Sequence, residues 1–154
     1  MPDYNDALKE AERLSKMSDD RLLEELGLRA KDIERPGGEQ RAQYFSGDFA
    51  VDAKDQGVGD FLLKAGRHSW ADLQPKMMNL ICDPNNADVR KLAGNKSIPQ
   101  VAAGLATAAV AALIAAPPAW VIVAATLIAS SLVESGLKGL CQAWAEEIKP
   151  PPQT

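Results

Sequence analysis

Residues 97–133 read SIPQVAAGLATAAVAALIAAPPAWVIVAATLIASSLV, a run with no Asp, Glu, Lys or Arg, broken near its middle by Pro117-Pro118. The nearest charges are Lys96 before it and Glu134 after it. Ser97 is placed to cap a helix with Pro99 in its first turn, where proline is tolerated. The proline pair then ends that helix and restarts another. The stretch therefore predicts an apolar helical hairpin, its first arm running to Ala115 and its second starting at Ala119 and continuing toward Ile148.

The two arms set competing expectations. Ile98 to Ala116 would extend roughly 28 Å and Pro118 to Val133 roughly 24 Å at the helical rise, against about 30 Å of bilayer hydrocarbon. Arg90, Lys91 and Lys96 precede the hairpin and Lys138 and Lys149 follow it, while the tip is uncharged. That arrangement would hold both roots on the cytoplasmic side of a membrane. On this reading Leu105, Val110, Leu113, Ile114, Pro117, Pro118, Trp120, Val121, Ile122, Val123, Leu127 and Ile128 form the membrane-facing or interface surface. Gly104, Ala108 and Ala112 allow close helix packing, and Glu134 and Trp144 mark the boundary. The competing expectation is a soluble helical adaptor or assembly protein that buries the hairpin in its own core or in a homo-oligomer interface. The first arm favours this, being mostly alanine, which drives insertion less than leucine or isoleucine does.

Outside the hairpin the chain is polar. Asp3 to Lys16 repeats Ala7, Leu8, Ala11 and Leu14 at helical spacing, and Ser18 is placed to cap a second helix ending at Gly27. Residues 34–60 carry Pro36, Gly37, Gly38, Gly47, Gly57 and Gly59 and read as a loop or hinge with one helical turn near Gln40 to Phe45. Phe61, Leu62, Ala65, Trp70, Leu73, Met77, Leu80 and Ile81 return to helical periodicity, with a kink or a fresh start expected at Pro75. The expected fold class is all-α: a small domain of short amphipathic helices plus the C-terminal apolar hairpin. Its divisions fall at 1–33, 34–60, 61–96, 97–149 and a proline-rich tail at 150–154.

Composition narrows function further. The net charge of −4 opposes capture of a polyanion, so no nucleic-acid partner is expected. His68 is the sole histidine, and the acids Asp48, Asp52, Asp55 and Asp60 miss the spacing of a calcium loop. No catalytic residue, metal or cofactor is expected, and the chain reads as a non-enzyme. Cys82 and Cys141 lie outside any metal-ligand spacing and read as buried, inert thiols, with a redox-sensitive pair as the less favoured alternative. The expected location is a reducing cytoplasm, at the inner face of the membrane. The expected partners are membrane lipid, a protein, or further copies of this chain. A bacterial pore-forming effector is the furthest extension of that reading.

Overall fold

The computed structural model describes residues 3–50, 59–112 and 115–147, and within them every regular element is a helix. Helix α1, Tyr4–Leu14, starts on a reciprocal capping box between Asp3 and Asp6 and buries Ala7, Glu10, Ala11 and Leu14 on one face. The Ser18 hydroxyl caps α2 by accepting the Arg21 N–H, but this helix runs Asp19–Asp32, past the stop expected at Gly27.

Gly27 is helical because it is a crossing point. A Cβ there would lie 2.0 Å from the Leu62 carbonyl oxygen, and one at Gly66 would lie 1.7 Å from the Leu23 carbonyl oxygen. The two glycines let the backbones of α2 and α4 touch, and the absence of side chains, rather than left-handed backbone, is what they contribute. Helix α3 is the single turn Gly38–Arg41. Helix α4, Gly59–Ile81, runs unbroken in one 23-residue element through Pro75. Pro75 is exposed, so the N–H it lacks falls on the solvent side of the helix. The short α5, Ala87–Arg90, is capped by the Asn86 side chain, which accepts the Val89 N–H.

The hairpin consists of α6, Ile98–Ala111, and α7, Pro118–Glu147. Ser97 caps α6 as the sequence suggests, but α6 ends at Ala111 instead of Ala115. The helix closes on the C-cap Ala112, and Ala115 takes a φ of 58°, outside the helical region, before the proline pair. Leu113 and Ile114 lie outside the described residues. Helix α7 is interrupted at Gly136, whose φ of 75° and ψ of 166° are not helical. The apolar arm and the amphipathic end are thus two helical segments set at an angle, where the periodicity suggests one continuous rod.

The helices pack around the hairpin. Helix α6 packs on α7, α1 on α6 and α2 on α4, while α1, α2 and α4 all reach α7. One hydrophobic cluster extends from Ala7 to Trp144, with Leu105, Val121, Ile122, Val123, Ala124 and Ala125 all at 0 % exposure. Each fully buried branched side chain of this kind contributes about 1.5–3 kcal/mol relative to exposure, so the hairpin is the main apolar store of the fold.

Candidate functional site: the clasped hairpin

The point where the second arm begins is held by a buried polar cluster. Arg29, on α2, is 1 % exposed as a residue. Its Nε donates to Glu25 Oε1 at 3.2 Å and its Nη2 donates to Glu10 Oε2 at 3.0 Å. Its Nη1 donates twice, to the backbone carbonyls of Phe45 and Ala119, each at 2.8 Å. The Phe49 ring lies 4.6 Å from the guanidinium carbon. One planar side chain therefore joins α1, α2, the 42–50 segment and the first turn of α7. A lysine, with a single nitrogen, has no equivalent fork.

The two carboxylates share further cations at the rim. Arg13 Nε lies 2.6 Å from Glu10 Oε1, and Arg21 Nη2 lies 3.6 Å from Glu25 Oε2. The hydrogen bond to Glu10 raises the Arg13 guanidinium above its ordinary value, and with the neighbouring Glu25 charge this outweighs partial burial. Ala119 is fixed from its other side as well, its N–H donating to the Ala42 carbonyl at 3.1 Å.

A second buried acid organizes the adjoining segment. Asp32, at 1 % exposure, accepts from Arg41 Nε at 2.8 Å, from Arg35 Nη1 at 2.8 Å and from the Ala50 N–H at 3.1 Å. Burial alone would push its carboxyl up. The hydrogen bonds from Arg41, Ala50 and Arg35 outweigh that cost and hold it below the ordinary carboxylate value.

The residues singled out from sequence fall into distinct places. Leu105, Pro118, Val121, Ile122, Val123 and Ile128 are buried inside the bundle, and Val110, Pro117, Trp120 and Leu127 are half-buried. Gly104 faces Leu92, whose Cδ2 would lie 2.6 Å from a Cβ at that position. Gly104 and Ala108 line a shallow cleft with Tyr4, Lys91 and Leu92, and Ala112 is exposed as the C-cap of α6. Glu134 is exposed, whereas Trp144 is only 5 % exposed and packs into the core. His68 is exposed, 3.9 Å from Asp72.

Of the two readings of Cys82 and Cys141, the structure has the redox-sensitive pair and corrects the favoured one of buried, inert thiols: the two form a disulfide. The last turn of α4 and the segment after Gly136 bring their Cα atoms to 5.8 Å, within the range a disulfide requires. Sequence spacing of 59 residues carries no such information.

The clasp itself was not anticipated, although its signal is present. Glu10 stands among Ala7, Ala11 and Leu14, and Glu25 and Arg29 stand among Leu22 and Leu26, all on buried helical stripes. Ionisable residues of both signs on apolar stripes of two neighbouring helices indicate that the stripes pair through them, since an unpaired buried charge is costly. Comparisons of the chain with protein-family models, with curated proteins and with solved structures found no match.

Proposed function

We propose that this protein is a non-enzymatic helical adaptor or assembly module whose apolar hairpin is the core of a water-compatible bundle, and not a standing membrane anchor. The observation that carries this reading is the burial of Leu105, Val121, Ile122 and Val123, each at 0 % exposure, between the two arms and the helices α1, α2 and α4 that pack on them. The short amphipathic helices cover one side of the hairpin, and this partial cover within a single chain supports the reading. The disulfide favours an oxidising compartment over the cytoplasm, because reducing thiols in the cytosol keep such pairs open. Full-length protein prepared without detergent is expected to elute as a monodisperse monomer and to remain at the bottom of a liposome flotation gradient. Constitutive flotation would overturn the reading.

A second reading rests on the charge-free length of α7. Pro118–Glu146 is long enough to cross a membrane and contains an 18-residue stretch with a mean hydropathy of 1.7, half of which is buried in the bundle. On this reading the bundle is a closed state that releases the hairpin into lipid, and the Arg29 clasp on Ala119 is what release must break. An Arg29→Met variant is then expected to leak dye from anionic liposomes that the parent protein leaves intact. A folded variant that leaves them intact counts against release.

A further inference from the structure

The Cys82–Cys141 bond lines a surface cleft of about 470 Å³ together with Ile81, Arg90, Ala93, Leu137 and Lys138. Both cysteines are half-buried, so their sulfurs are neither sealed in the core nor fully open. Arg90 and Lys138 bring two cations to this cleft. Arg90 is steadied by donating Nε to the Pro84 carbonyl, and the ion pairs among the described residues are made by other side chains. The exposed acids Asp83, next to Cys82, and Asp88, near Arg90, do not line the cleft, and Asp83 accepts the Asn85 N–H at 2.9 Å. The apolar floor and cationic rim suit a small thiol that carries carboxylates.

We propose that this cleft is a thiol-exchange site, in which an anionic low-molecular-weight thiol opens the Cys82–Cys141 bond and frees the helical segment beyond Gly136 from α4. The entering thiolate attacks one of the two sulfurs, the S–S bond breaks, and the displaced cysteine leaves as a thiolate that takes a proton from water. A second thiol attacks the resulting mixed disulfide, releasing the other cysteine. The balance is one protein disulfide reduced to two thiols and two small thiols oxidised to their disulfide. The cations raise the local concentration of an anionic attacker and stabilise the departing thiolate.

The helix already breaks at Gly136, so opening the bond needs no further disruption of the apolar arm. Residues 137–147 then remain attached through Leu140 and Trp144. The inference stands independently of whether the hairpin ever meets a membrane.

The test follows reduction of the full-length oxidised chain by intact mass, with glutathione, 2-mercaptoethanol and cysteamine at matched thiolate concentrations. At low ionic strength glutathione is expected to react about tenfold faster than the neutral thiol, and cysteamine slower than both. Arg90→Gln with Lys138→Gln is expected to abolish the difference, as is high salt. Hydrogen exchange on the reduced protein is expected to rise in residues 137–147 and at the end of α4, with residues 101–132 still protected. Equal rates for the three thiols, a bond that resists all of them, or exchange that rises throughout the chain would each overturn the proposal.

Discussion

Arg29 is the residue on which most of the tertiary structure converges. Removing it leaves the buried carboxylates of Glu10 and Glu25 with only the rim cations Arg13 and Arg21, and takes the Arg29 donor from the Phe45 and Ala119 carbonyls. Arg29→Met is therefore expected to cost about 3–5 kcal/mol, the range for breaking one side of a buried ion pair, read as a shift of the urea midpoint. Arg29→Lys is expected to recover only a minor part, because an ammonium cannot serve carboxylates and carbonyls spread around a plane. Asp32 sets the acid limit of the adjoining segment. Its folded carboxyl lies below the unfolded value of 3.8, so the stability it contributes is fully present above that value. That contribution is lost as pH falls through 3.8 and then through the lower folded value. Asp32→Asn is expected to be less stable at neutral pH and to show a flatter stability profile across that acid window, measured by thermal unfolding at stepped pH.

Among the elements, the α2–α4 pair is the most closely set. Gly66→Ala would drive a methyl group into the Leu23 carbonyl, a backbone atom that cannot rotate away. Overpacking of this kind typically costs about 1–3 kcal/mol, and a loss of that size or more is expected here in chemical denaturation. Pro75 differs in kind: it lies on an exposed turn of α4. Pro75→Ala restores a backbone donor and improves helix propensity, so it is expected to leave stability unchanged or raise it. The starts at Ser18 and Ser97 were legible in the sequence because a cap is a local event. Asp3, Ser18, Asn86 and Ser97 each accept the backbone N–H three residues on. The stops were less legible. Gly27 looks like an end signal, yet whether a glycine terminates a helix or admits a neighbour depends on what packs against it.

At the scale of the whole molecule, the disulfide closes a loop spanning 59 residues that contains all of α5, α6 and the apolar arm of α7. Replacing both cysteines by serine is expected to lower stability by about 2–4 kcal/mol through loop entropy returned to the unfolded chain, measured by urea unfolding. The sequence by itself determined the helical class, the capped starts and the hairpin with its proline turn, because each depends on residues a few positions apart. It also shows that residues 97–133 are the most apolar part of the chain, since no charge interrupts them. That part of the run packs against α1, α2 and α4 is visible only in the tertiary structure. An apolar face contributes the same hydrophobic free energy against lipid or against Ala7, Leu14, Leu26 and Leu73, and that effect has no direction. That packing rests on long-range geometry: Arg29 reaching Ala119 across 90 positions, two glycines admitting α4 to α2, and two cysteines meeting after the Gly136 turn. None of these is encoded in a local period, which is why the apolar hairpin could be read from the chain and its shelter could not.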